Sequence, residues 1–66
     1  MNWDELPDYN KGRLIGLLSV CYDTRSRTNS KESQRSVIFM TEVMIEKYEL
    51  DHCFVHDEIL KIKQGL

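Results

Sequence analysis

Sixty-six residues confine the chain to one small domain. A domain of this size buries only about 60% of its unfolded surface, so its stability leans on disulfides, a metal or self-association. Two cysteines, Cys21 and Cys53, do not make a secreted disulfide framework, and nine basic against eleven acidic residues, a net charge of −2, exclude a polycation that coats nucleic acid.

The N-terminus, MNWDELPDYNKG, is acidic and has no signal-like apolar centre, and no apolar run is long enough to span a bilayer. A cytoplasmic protein with two free thiols and no membrane contact is therefore expected. Charge falls in blocks. Asp4, Glu5 and Asp8 make the start acidic; residues 24–35 hold Arg25, Arg27, Lys31 and Arg35 against one acid, Glu32; residues 42–58 hold six acids against Lys47 alone. This patterning predicts a positive end on a more negative body. Trp3 is expected to dock on the core or on a neighbouring protomer.

A first helix is predicted from about 7 to 23. Pro7 suits a first helical turn, and Asp8 complements the helix dipole. Leu14, Leu17, Leu18 and Cys21, flanked by Ile15 and Tyr22, make a broad apolar face, while Gly12, Gly16, Ser19 and Asp23 gather on the other side. Each glycine costs roughly 1 kcal/mol relative to alanine. The pair marks either a close approach by another backbone or ligand, or a solvated strip.

The stretch TRSRTNSKESQR, Thr24 to Arg35, reads as the connection at the end of a helical hairpin. A second helix is predicted from about 30 to 50. Asn29-Ser30-Lys31-Glu32 resembles a capping box, with Asn29 as cap and Glu32 at the third helical position. Val37, Met40, Met44 and Tyr48, extended by Ile38 and Ile45, line one face; Phe39, Val43 and Leu50 lie well round from it. A helix that is apolar on two sides needs two partners. The first helix covers one side, and the other is expected to meet the C-terminal segment or a second copy. In the tail, Val55, Ile59 and Ile62 fit a short helix stopped by Gly65, although residues 59–63 also alternate as a strand does.

The basic stretch is the foremost candidate site. A helix N-terminus carries free N–H groups and partial positive charge, and guanidinium groups match phosphate oxygens. Arg25, Arg27, Ser30, Lys31, Ser33 and Arg35 together supply donors for an anion or an acidic partner; the competing reading is a polar turn facing water. His52, Cys53, His56 and Asp57 carry ligand types for zinc but lack a second ligand pair, so no metal is expected. No phosphate-cradling glycine loop and no nucleophile elbow is present; no cofactor and no catalytic residue is assigned.

One layout resembles a known group. A first helix, a Ser/Thr/Arg loop and then Glu32-Ser33-Gln34-Arg35 leading into an apolar helix is similar to the helical-hairpin phage proteins that sequester cyclic oligonucleotide signals. The resemblance covers about half the chain and rests on the order of elements. It implies a nucleotide-binding site at Arg25, Arg27, Lys31 and Arg35.

The chain is accordingly read as all-α: a helical hairpin (about 7–23 and 30–50) plus a short C-terminal helix, assembled as a homo-oligomer through Phe39, Val43 and Leu50. The function expected is that of a small non-enzymatic regulator that engages a partner protein. A phage-type module for a phosphate-bearing ligand is the alternative. DNA binding by a helix-turn-helix variant ranks lower, because the connection is long for such a turn and the net charge is negative.

Overall fold

A computed structural model describes all 66 residues as a single 3-10 turn at Trp3–Glu5 followed by three α-helices. These are α1 (Asp8–Arg27), α2 (Lys31–Lys47) and α3 (Phe54–Gln64). The all-α expectation holds, and the tail resolves as helix with Gly65 at its C-cap.

Helix α1 continues a full turn beyond the expected stop at 23. The hydroxyl-rich sequence does not break it, because its polar groups bond back along the helix. Ser26 Oγ donates to the Asp23 carbonyl at 3.0 Å, and Arg27 pairs with the Asp23 carboxylate one turn earlier at 3.0 Å. Arg25 and Arg27 in the last turn also complement the dipole there. Leu14, Leu18 and Cys21 form the buried stripe, with Leu17 half-buried; Ile15 and Tyr22 stay exposed. Nothing lies within 4 Å of a Cβ placed on Gly12 or Gly16, so within the chain the glycine strip is open surface.

The longer α1 leaves a connection of only Thr28, Asn29 and Ser30 before α2. Ser30, not Asn29, is the cap: its Oγ accepts from the Ser33 N–H at 3.2 Å, which puts Ser33 rather than Glu32 at the third helical position. Thr28 Oγ1 accepts from the Ser30 N–H at 3.0 Å, and the Gln34 amide donates to the Thr28 carbonyl at 3.0 Å. Such a short, internally bonded turn folds α2 back alongside α1 as a helical hairpin. Cys21 Sγ meets Thr41 Oγ1 at 3.4 Å across the pair.

The buried seam of α2 is Gln34, Ile38 and Thr41, with Val37 and Ile45 half-buried beside it. The expected face along Val37, Met40 and Met44 is thus displaced by roughly one residue's rotation, about 100°. Met40 is left 55% exposed. Polar groups occupy the seam because each is satisfied there: Gln34 by Thr28, and Thr41 by the Val37 carbonyl at 3.0 Å as well as by Cys21.

Helix α2 ends at Lys47, three residues before the expected 50, in a Schellman motif. The Leu50 N–H bonds to the Ile45 carbonyl at 3.2 Å and the Glu49 N–H to the Glu46 carbonyl at 2.9 Å. Glu49 takes the left-handed position, φ 52°, usually given to glycine. Leu50 and Ile45 both pack on the core cluster, which is the apolar contact this motif carries. Glycine at 49 is expected to stabilise the fold by about 0.5–1 kcal/mol by relieving the Cβ clash. Urea unfolding checks this; a loss of stability would show that the Glu49 side chain contributes more than its backbone costs.

Helix α3 places Val55, Ile59 and Ile62 in the groove on one side of the hairpin, against Leu18, Cys21, Ile38 and Cys53. It runs parallel to α1 and antiparallel to α2, as its ties show. Tyr22 Oη donates to the Glu58 carboxylate, and Lys63 pairs with Glu42 at 3.2 Å. Trp3 caps the same core, its ring edge-on to Phe54 at 4.9 Å, so it docks within the chain. Both cysteines are free and buried.

The Tyr22–Glu58 tie has a pH signature. The Tyr22 hydrogen bond, then Lys61, holds the Glu58 carboxyl below its ordinary range; the same bond, then desolvation and the Glu58 charge, raises the Tyr22 phenol. A depressed carboxyl stabilises above its unfolded pKa and loses that contribution as pH falls through the folded one. A raised phenol stabilises below its unfolded pKa and loses that contribution as pH rises through the folded one. The tie therefore holds through the neutral window and loosens at both extremes. In Tyr22→Phe the Glu58 carboxyl is expected to titrate closer to its ordinary value, read by NMR. An unchanged titration would remove the tie from the account.

Candidate functional site

Two antiparallel helices leave two grooves between them, one on each side. Helix α3 fills one, and the other is open. That groove, about 280 Å³, is lined by Arg13 and Leu17 of α1 and by Phe39, Met40, Val43 and Met44 of α2. Its outer wall is the solvent-facing side of α2, where Phe39 is 66% and Val43 42% exposed. Isolated exposed apolar residues are ordinary, but here they run contiguously along one groove. Phe39 also borders a second hollow of about 320 Å³, between α2 and the end of α3, with Arg35, Ile38, Glu42, Lys63 and Leu66. The Lys63–Glu42 pair bridges that hollow.

Of the residues expected to mediate self-association, Phe39 and Val43 share this face and Leu50 does not. Leu50 is half-buried against the core as part of the turn that ends α2. Met40, Met44 and Leu17 take its place. Periodicity hid the methionines because it counted them as core. A better signal was available in Ser36, Phe39, Met40 and Val43, whose i, i+3, i+4, i+7 spacing is that of a hole for a side chain from a facing helix.

The six residues of the basic stretch do not converge on one point. Arg25 lies in the last turn of α1 near the C-terminus of α3, where a Cβ on Gly65 would stand 3.8 Å from its guanidinium. Arg27 is shared with Asp23. Ser30 is committed to capping, and Ser33 is bonded to it through its N–H. Lys31 begins α2, whose first N–H groups have no intrahelical acceptor. Arg35 lies a turn further on, in the hollow beside Leu66. Much of the hydroxyl content thus serves the turn itself, and what remains is an exposed positive end around Arg25, Arg27 and Lys31. The short connection removes the length objection to a helix-turn-helix. However, α2 lies back along α1 from Thr41 to the Arg13–Leu17 groove instead of crossing it at the angle of that motif.

His52 precedes α3 rather than sharing a helical face with His56. Its Nε2 lies 2.8 Å from the Asp57 carboxylate, and the two histidine rings meet edge-on at 5.6 Å. Cys53 is turned into the core, so the four residues do not form a group of three or more potential ligands. No helix is long and apolar enough to cross a membrane. Comparison with known proteins finds no matching family model, no similar curated protein and no similar solved structure.

Proposed function

We propose that this chain is a small non-enzymatic binding protein that works as a helical homo-oligomer and engages a partner protein. The observation that carries this reading is the open groove opposite α3, with Phe39, Met40 and Val43 in water. Only 11 of the 66 residues are buried, so the chain by itself has a small core, and a second copy over the groove extends it. The positive end formed by Arg25, Arg27 and Lys31 stands clear of the groove and is the surface we assign to an acidic segment of the partner. Charge there acts mainly on encounter and specificity. Light scattering of the purified chain across about 1–100 μM is the direct test. A mass above that of one chain, rising with concentration, is expected; a strict monomer throughout would discard self-association.

A further inference from the structure

We infer that the second copy docks antiparallel, α2 against α2, about a two-fold axis near the level of Met40 and Thr41. Each Arg35 then meets Glu46 of the other copy. The inference rests on the self-association reading and adds its orientation.

Charge left unpaired within the chain sets the orientation. Within the chain, Glu42 is paired with Lys63, Asp23 with Arg27, and Glu58 with Lys61. Arg35 and Glu46 are both exposed on α2 and have no ion-pair partner. They stand eleven positions apart, very nearly three turns, so they project from the same flank. Phe39, Met40 and Val43 lie between them. A two-fold axis perpendicular to two antiparallel helices keeps each flank facing its own kind, so it brings Arg35 level with Glu46 twice over. A two-fold axis along parallel helices instead sets Arg35 level with Arg35, and Glu46 level with Glu46.

The rest of α2 agrees. Its first turns, 31–38, carry Lys31, Glu32 and Arg35, while its end and the turn after it, 42–51, carry Glu42, Glu46, Glu49 and Asp51 against Lys47 alone, with Glu42 held by Lys63 and Asp51 by the N-terminal amine. Antiparallel docking opposes the positive half to the negative half, and it also opposes the helix dipoles. The hole formed by Ser36, Phe39, Met40 and Val43 is lined at one corner by the small, exposed Ser36, which leaves room for Val43 of the other copy. The apolar patch is on the order of a few hundred Å² per copy, at the small end for a stable interface. Orientation in such an interface falls to its charges. The two Arg25–Lys31 ends then sit at opposite poles of the dimer, both free for a partner.

Charge reversal tests the orientation. Arg35→Glu and Glu46→Arg are each expected to weaken dimerisation about tenfold or more. The double variant is expected to recover most of the loss, and the benefit should fade with salt. Both sites are exposed, and circular dichroism of each variant confirms that the fold is kept. Cysteine pairing gives an independent reading. A mixture of Ser36→Cys and Lys47→Cys chains is expected to oxidise to the mixed dimer, because antiparallel docking separates like positions along the axis. Cys21 and Cys53 are buried and do not compete. A dimer that shows no rescue and joins Ser36→Cys to itself overturns the antiparallel arrangement and leaves self-association standing. A native chain that is monomeric at every concentration removes both.

Discussion

Alanine at Ile59 is expected to remove about half of the folding free energy of the chain. Ile59 is fully buried where α3 enters the hairpin groove. Truncating such an isoleucine costs about 2–5 kcal/mol. A domain of 66 residues holds about 3–10 kcal/mol in all. Helix α3 has little of its own to fall back on. Its 11 residues fall short of the length, about 12–15, at which isolated helices become even marginal, so it persists by packing Val55, Ile59 and Ile62. Urea unfolding followed by far-UV circular dichroism gives the measurement, and Leu60→Ala, one position on and exposed, gives the control at within about 0.5 kcal/mol. Equal losses for the two would mean that α3 faces the hairpin with a different side.

Aspartate at Val43 is expected to raise the dissociation constant of the proposed homo-oligomer more than a hundredfold while leaving each chain folded. In the single chain Val43 already meets water, being 42% exposed, and valine and aspartate have similar helix propensities. In the assembly the carboxylate would be placed twice, once per copy, among Phe39 and Met40, where Arg13 across the groove and Lys47 one turn on are the nearest cations. Desolvating a carboxylate costs several kcal/mol even where a cation can approach it, more than the roughly 3 kcal/mol that a hundredfold change requires. Sedimentation equilibrium beside circular dichroism separates the two effects. Unchanged association would move the contact away from the groove, whereas lost helicity would show that Val43 belongs to the core of the single chain.

Much of this architecture was legible from periodicity. The stripe Leu14, Leu18 and Cys21 on α1 and the stripe Val55, Ile59 and Ile62 on α3 are buried as their spacing predicts. That Phe39 and Val43 lie well round α2 from its core side was legible too, but the C-terminal segment and a second copy were equal candidates to cover them, and in the single chain they face water. The candidate site was half legible: its apolar residues Phe39 and Val43 were visible, but Arg13 was not singled out, and Met40 and Met44 were assigned to the core.

The chain's own residue pattern determined the class, the order of three helices and the sides that α1 and α3 bury, since these depend on apolar spacing along one element. Tertiary structure alone decided the rotation of α2, the three-residue connection and the capture of Leu50. Gln34 and Thr41 are tolerated inside because each is satisfied there, Gln34 by the Thr28 carbonyl before α2, and Thr41 by the Val37 carbonyl of its own helix and by Cys21 across the pair. Leu50 is drawn to the core by a left-handed Glu49 rather than left on the outer face. A polar residue's partner on another segment and a backbone turn after a helix both lie outside what hydrophobic period can register, and here they rotated α2 enough to leave its methionines beside the open groove.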